Sequence, residues 1–170
     1  MADLNPTAAS LLGFLHGGEY SGYELLKVAE QLIGDFWSLT QSQVYRELAA
    51  LAARGLVEVG EVGARARRPH RITEEGRAAF AAWLCVPPAT EQIRFPLLLT
   101  LAFGDQLDRD RLLGFIDDHR REHQQRLRNY QTMLDTLPLT KYQKANLSFG
   151  LRYEQAVLDW ADELPGLLAP

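Results

Sequence analysis

Two histidines one helical turn apart, His119 and His123, are the residues best suited by type and spacing to do chemistry. With Glu122 they spell H-x-x-E-H, the pattern in which two histidines bind zinc and the glutamate acts as general base. Residues at i and i+4 share a helix face, so the geometry permits such a site. However, arginines crowd positions 120–128, and no strong third ligand is identifiable.

We therefore predict a protein with no catalytic site, no bound metal and no other cofactor. The two histidines are interpreted as solvated, or as lying at the edge of a helix seam. A regulatory metal or a pH-sensing role stays open as an alternative.

The rest of the sequence carries no other catalytic arrangement. It has no glycine-rich phosphate loop, and its acidic residues are scattered over predicted polar faces. Cys85 is the only cysteine, which excludes an intrachain disulfide and a multi-cysteine zinc site and favours a reducing compartment. No stretch resembles a signal peptide, and no apolar run approaches the ~20 residues that span a bilayer. We expect a soluble, cytoplasmic protein.

A second group of residues could bind a polyanion. Four arginines crowd positions 62–73 without a single acid: Arg65, Arg67, Arg68 and Arg71. Arginines in such a loop can reach the phosphates or the minor groove of DNA. Arg71 falls in a predicted strand, where it could pair with Glu58 or Glu61 instead. The first three are therefore the predicted DNA contacts.

A short amphipathic helix precedes this loop. Thr40 and Gln43 have capping-box spacing, so the helix begins there, and Gly55 ends it. Its buried stripe recurs at i, i+4 and i+7: Val44, Leu48 and Leu51. The opposite face is polar at its N-terminal end, where we predict that base edges would lie against Gln41, Ser42, Gln43 and Arg46.

The order of elements favours a DNA-binding fold. Residues 56–62 and 70–72 have the alternating, β-branched character of two paired strands on either side of the arginine loop. Helix and then hairpin is the order of a winged helix-turn-helix, whose helix enters the major groove. The alternatives are an α+β corner with solvated arginines and a winged-helix module that binds only acidic proteins. The net charge of −4 counts against very tight nonspecific DNA binding.

Flanking helices complete the first half of the chain. Residues 6–16 form the first predicted helix, and Ser21 with Glu24 is a second capping box. The predicted buried stripe of that second helix is Tyr23, Leu26, Ala29 and Ile33. Thr73 can cap a fourth helix that ends before two prolines at 87–88, where we predict the domain boundary.

Several short motifs resemble the PadR family of bacterial transcriptional regulators. They are QVYREL at 43–48, GLV at 55–57, RR at 67–68 and ITEEG at 72–76, with LLG at 11–13, SGYEL at 21–25 and FW at 36–37 upstream. Arg46 and His70 stand where many relatives have proline and tyrosine, and the arginine resembles the virulence-activator branch. The resemblance implies a dimer on operator DNA, with Tyr45 as a backbone contact. It also implies an effector for some members, which sense phenolic acids or hydrophobic drugs.

The second half of the chain is helical. Residues 91–103 predict a buried helix with proline in an early turn, and Asp108 and Thr140 each cap a long helix. Apolar residues spaced by three and four form a seam, which we predict to hold two chains together: Leu113, Ile116, Leu127, Tyr130 and Leu134. An intramolecular hairpin of the last two helices is the alternative, and both arrangements can hold at once.

We therefore predict a mainly α fold with a small β-hairpin. Residues 1–86 form a winged helix-turn-helix DNA-binding domain, and residues 89–170 form a helical dimerisation domain. The predicted partners are double-stranded DNA, a second copy of the chain and a small aromatic or hydrophobic effector, with no membrane. Aromatic residues could line a pocket for that effector at the domain junction: Trp37, Trp83, Phe95, Phe103, Tyr153 and Trp160.

Overall fold

The chain divides into two compact units, Met1–Thr90 and Glu91–Pro170, each with its own core. This computed structural model describes residues 4–33, 36–63, 67–91 and 93–169. The first unit contains α1 (Pro6–Leu15), β1 (Tyr20–Ser21), α2 (Gly22–Leu32), α3 (Gln41–Ala53), β2 (Val57–Val59), β3 (Pro69–Ile72) and α4 (Glu74–Leu84). The second contains α5 (Pro96–Ala102), a 3₁₀ turn (Gly104–Gln106), α6 (Arg109–Thr136) and α7 (Lys141–Leu167). The predicted mainly α fold with a β-hairpin is confirmed.

Side chains that cap free backbone N–H groups set the helix starts. Asn5 caps α1 by accepting from the Ala8 N–H at 2.8 Å. The predicted capping boxes are confirmed at the starts of α2, α3 and α7. Thr73 and Asp108 cap α4 and α6 as predicted. These local hydrogen bonds explain why the sequence predicted most helix starts within one or two residues.

The core of the first unit lies where α1, α2 and α3 pack together, and the predicted stripe of α3 is fully buried in it. The predicted stripe of α2 was wrong at Tyr23, whose ring is 57% exposed. Leu25 is buried in its place, whereas Ala29 is buried as predicted. Residues 25 and 29 are one turn apart, so the core face of α2 is rotated away from Tyr23, which leaves the tyrosine on the surface beside the groove described below.

A three-stranded antiparallel sheet with the order β1-β3-β2 closes the first unit. The strand predicted over residues 56–62 was too long. Only Val57, Glu58 and Val59 pair with β3, and these three residues form β2. Beyond β2 the hairpin continues through single hydrogen bonds, from Gly60 N to Pro69 O at 2.8 Å and from Gly63 N to Arg67 O at 2.8 Å. The sequence did not predict β1, whose two residues are too short for a periodic pattern.

In the second unit, α6 and α7 form an antiparallel hairpin. As the residue number rises along α6, the number of the contacting residue on α7 falls. Arg109 contacts Leu168, Arg120 contacts Asp162 and Tyr130 packs against Gly150. The helical seam of α6 therefore faces α7 of the same chain, which is the intramolecular arrangement left open by the sequence.

The predicted buried helix at 91–103 was wrong in length and in burial. Helix α5 covers only Pro96–Ala102, and Leu97 is its buried residue. Leu98 and Leu99 are 52% and 67% exposed, because a seven-residue helix on the outside of the α6–α7 hairpin can bury only one side. Among the described residues, no helix is both long enough and apolar enough to cross a membrane.

Candidate nucleic-acid interface

The exposed N-terminal end of α3 carries the predicted base-reading residues. Gln41 and Ser42 are exposed, and the Ser42 hydroxyl lies 3.1 Å from the Thr40 hydroxyl. Gln43 is less free than predicted, because its Oε1 accepts from the Thr40 N–H at 2.9 Å in the capping box. Its amide oxygen is therefore occupied by the helix cap, and its NH₂ group is the part that can address a ligand.

Arg46 projects from the same face, with its side chain 68% exposed. Its guanidinium donates to Glu47 Oε1, at 3.1 Å from Nη2 and 3.3 Å from Nε. Glu47 is nearly buried, and its Oε2 accepts from Asn5 Nδ2 at 3.0 Å. Hydrogen bonds from Asn5 and then Arg46 outweigh burial and lower the pKa of Glu47, so the carboxylate stays charged. Sequence reasoning missed Glu47 and Asn5, which hold one edge of the arginine and leave its other N–H groups facing outward.

The ring of Tyr45 packs closely against the start of α2. A Cβ on Gly22 would stand 2.8 Å from Tyr45 Cε1 and 3.0 Å from Cζ, so only glycine accommodates the ring there. The tyrosine is 45% exposed. This close approach brings the start of α2 and the exposed face of α3 onto one continuous surface.

The wing arginines differ from one another more than the sequence predicted. Arg67 is not free of acids: its Nε donates to Glu24 Oε1 at 3.0 Å and Oε2 at 3.2 Å, and its Nη2 donates to the Glu19 carbonyl at 3.4 Å. The expectation that no acid neutralises it was wrong, because pairing of β1 with β3 brings the start of α2 beside the wing. The Arg67 hydrogen bond, followed by the one from the Ser21 N–H, lowers the pKa of Glu24 to about 2.

Arg68 and Arg71 differ in whether an acidic side chain pairs with them. Arg71 donates to Glu58 across the hairpin, with Nε 3.2 Å from Oε2, as the alternative for this residue predicted. Arg68 is exposed, and in the part of the chain that the structure describes it has no acidic partner. Arg65 lies outside the described residues. Among the described wing residues, Arg68 is thus a cation that is available to a polyanion.

These elements surround a groove of about 900 Å³ between α2, α3 and the wing. Its wall includes Tyr23, Tyr45, Ala49, Arg67 and Arg68. Tyrosine hydroxyls and an unpaired guanidinium are groups that donate hydrogen bonds to phosphate oxygens. The groove therefore has the chemistry of a backbone-binding surface beside the exposed end of α3.

The predicted dimerisation residues divide into two sets. Ile116 and Tyr130 are buried inside the chain, where Ile116 joins the core of the second unit and Tyr130 covers Gly150. Leu113 packs at the edge of that core. Leu127 and Leu134 are half-buried, and their pairing between chains stays a prediction.

Of the two interpretations of the histidine pair, the solvated one is wrong for His123, which lies in the seam between α6 and α7. His123 is 1% exposed, and its Nδ1 contacts Glu154 Oε2 of α7, while Glu154 is itself 2% exposed. The H-x-x-E-H glutamate is directed elsewhere, since Glu122 Oε2 lies 3.5 Å from Arg126 Nη2. The motif therefore lacks the general base that a zinc protease needs.

Two family models match the chain. The transcriptional regulator PadR-like family matches residues 11–82, and the virulence activator alpha C-terminal family matches residues 93–169. The negative transcriptional regulator PadR of Bacillus subtilis is 26% identical over 132 residues, which cover 75% of this chain and 72% of that protein.

Solved structures show the same fold. Bacillus subtilis PadR in complex with operator DNA matches with a TM-score of 0.79 and 22% identity, covering 97% of this chain and 100% of that one. The same protein in complex with p-coumaric acid gives 0.68 and 22%, with 95% and 96% covered. The Vibrio cholerae virulence activator AphA gives 0.72 and 25%, with 95% and 97% covered.

The helix-turn-helix with its wing in the first unit and the long helical hairpin in the second are the fold of the PadR-type structures. Residues 11–82 belong to the PadR-like family of transcriptional regulators, and residues 93–169 match the virulence-activator type of C-terminal unit. The resemblance to the PadR family that the sequence motifs indicated is confirmed. The curated relatives of the chain are transcriptional regulators rather than enzymes.

Proposed function

We propose that this protein binds an operator in double-stranded DNA sequence-specifically, as a homodimer in the cytoplasm. The observation that carries the proposal is Arg46, which projects from an exposed polar helix end while Glu47 and Asn5 hold one of its edges. A guanidinium held in this way loses little conformational freedom when it binds a guanine edge in the major groove.

Footprinting of DNA from the protein's own genomic neighbourhood, at two salt concentrations, tests this proposal. A sequence-specific regulator protects a palindrome at both salt concentrations, because base contacts are retained when phosphate contacts are screened. The second candidate, a winged-helix module that binds only proteins, gives no protected site. The ion pair between Arg67 and Glu24 supports that candidate, because it makes the positive charge of the wing smaller than the wing's sequence alone predicts.

Arg46→Ala separates base reading from backbone binding. We expect a loss of ~1–3 kcal/mol on the operator and a smaller loss on scrambled DNA, since a bidentate contact discriminates between bases. Arg54→Ala is the matched control, because Arg54 is an exposed arginine at the other end of α3. Equal losses on both DNAs would assign Arg46 to a phosphate.

A palindromic operator requires two recognition helices related by twofold symmetry. With a chain of 19.2 kDa, light scattering should report about 38 kDa for a dimer. Changing Leu127 and Leu134 together to lysine should shift the mass toward the monomer, because charged lysines are costly to bury. Lysines at Gln125 and Thr132, which are exposed on α6, provide the control. A wild-type monomer would contradict the homodimer.

The proposed effector is a small aromatic or hydrophobic molecule. Of the six aromatic residues suggested for it, Phe95, Tyr153 and Trp160 line one apolar cavity of about 250 Å³ in the second unit, whereas Trp83 packs with Phe80 in the first. Burial raises the pKa of Tyr153, which keeps its hydroxyl protonated at neutral pH. Tryptophan fluorescence during titration with p-coumaric acid, compared between wild type and Phe95→Ala, tests this site. An unchanged titration in the variant would exclude the cavity.

A further inference from the structure

A buried polar chain crosses the α6–α7 hairpin and has no role in the DNA-binding surface. Glu154 Oε2 contacts His123 Nδ1, and His123 Nε2 lies 2.9 Å from His119 Nε2. Removing a carboxylate and an imidazole from water is costly, and an ion pair in a helix core is often no more stabilising than apolar residues of similar size. The two Nε2 atoms are at hydrogen-bond distance with one proton between them, and a metal ion can take the place of that proton.

We propose that His119 and His123 bind one divalent transition-metal ion through their Nε2 atoms. If each Nε2 atom lies about 2.1 Å from the ion and the nitrogen–metal–nitrogen angle is about 90°, the two nitrogens are about 3.0 Å apart. The observed distance between them is 2.9 Å. The spacing i, i+4 on a continuous helix fixes both rings on one face, so the chelate needs only small ring rotations. The inference is independent of operator binding.

Glu154 is the positioning residue of this site. Its carboxylate accepts the Nδ1–H of His123, which leaves Nε2 with the lone pair that a metal requires. A carboxylate behind a metal-binding histidine is the recurring arrangement that orients the ring and raises its basicity. This role accounts for a carboxylate that is 2% exposed on α7.

The surroundings decide which ions fit. Phe95 packs edge-on against His119, with ring centroids 4.9 Å apart, and covers one side of the pair. His119 is only half-buried, so water can complete the coordination from the other side. In the described ranges no group of three His, Cys, Asp or Glu side chains could hold a metal, so the protein supplies two ligands. Imidazole pairs suit Zn²⁺, Ni²⁺, Co²⁺ and Cu²⁺, whereas Mg²⁺ and Ca²⁺ prefer oxygen ligands.

Calorimetric titration of the untagged full-length protein with ZnCl₂, NiCl₂ and MgCl₂ tests the proposal. We expect one Zn²⁺ or Ni²⁺ ion per chain and no binding of Mg²⁺. His119→Ala should abolish saturable binding, and Glu154→Gln should weaken it by about 10- to 100-fold. His16→Ala is the matched control, because His16 is an exposed histidine in the first unit, at the C-terminal end of α1.

Electron paramagnetic resonance of the Cu²⁺-loaded protein gives a second measurement, which is valid even if Glu154→Gln does not fold. Two imidazole nitrogens should be coupled to copper in the wild type, and His119→Ala should lose that signal. Absence of stoichiometric binding would overturn the proposal, as would binding that persists in folded His119→Ala. Loss of the ion in His16→Ala would equally overturn it.

Discussion

The pairing of Arg67 with Glu24 predicts that the two adjacent wing arginines affect DNA binding differently. An arginine that stays paired with a carboxylate adds no net charge to the interface, whereas Arg68 can neutralise a phosphate. Arg68→Gln should therefore flatten the slope of log affinity against log salt by about 0.9 per chain, or about 1.8 for a dimer. Over a fourfold change in salt, that slope difference corresponds to roughly a tenfold difference in affinity loss.

The double change Glu24→Gln with Arg67→Gln is the matched control, because it removes one negative and one positive charge together. Glutamine at position 24 can still complete the capping box of α2, so the helix start is retained. We expect this variant to keep the wild-type salt slope. Fluorescence anisotropy with labelled operator DNA, at four or more salt concentrations, measures each slope.

Two results would refute the reasoning. If the neutral double variant flattens the slope as much as Arg68→Gln, Arg67 leaves Glu24 and binds a phosphate in the complex. If Arg68→Gln keeps the wild-type slope, the wing does not contact phosphates through this residue, and its exposed charge belongs to a protein partner or to solvent.

Three further predictions concern single positions. Gly22→Ala should displace the Tyr45 ring and weaken operator binding by ~1 kcal/mol. Stability in urea unfolding should change little, because the exposed ring can move aside. Unchanged operator affinity would show that Tyr45 is not part of the interface. Gly76→Ala should destabilise the fold by ~3 kcal/mol in urea unfolding, since its Cβ would stand 2.1 Å from the Leu56 carbonyl oxygen; a smaller loss than 1 kcal/mol would contradict that packing. Because the folded pKa of Glu24 lies below its ordinary 4.5, the stability that the Glu24–Arg67 pair contributes is present above pH 4.5 and is lost as the pH falls toward about 2. On acidification the wild type should therefore lose about 1 kcal/mol more unfolding free energy than Glu24→Gln, a value reduced for the solvent exposure of the pair. Parallel curves of unfolding free energy against pH for the two proteins would contradict the pair.

The sequence predicted those features that depend on neighbouring residues. Thr40 with Gln43 gave the start of α3, and Gly55, with φ of +70°, ended it as expected of a left-handed position. Val44 and Leu48 gave its buried face. Each of these signals involves residues fewer than six positions apart, so the chain's local geometry alone relates them.

The site could be predicted less completely, because its key partners are distant in sequence. Arg67 and Glu24 are 43 positions apart, and they meet only because a two-residue strand pairs with the wing. His123 and Glu154 are 31 apart and meet only in the helical hairpin. An apolar seam such as that of α6 predicts that one face of the helix is buried. The pattern does not tell whether the helix that covers this face belongs to the same chain or to a second chain. Residues that hold others in place, such as Glu47, leave no motif of their own.

The side chain of Asn5 joins two tasks that are 42 positions apart in the chain. Its oxygen caps α1 and its NH₂ group holds Glu47, which in turn holds Arg46. Aspartate would still cap the helix but could not donate to Glu47, and would set a second negative charge beside it. A substitution that never approaches DNA can therefore alter how Arg46 is presented. Under the proposed function, operator preference then depends on a residue at the start of α1, outside α3 itself.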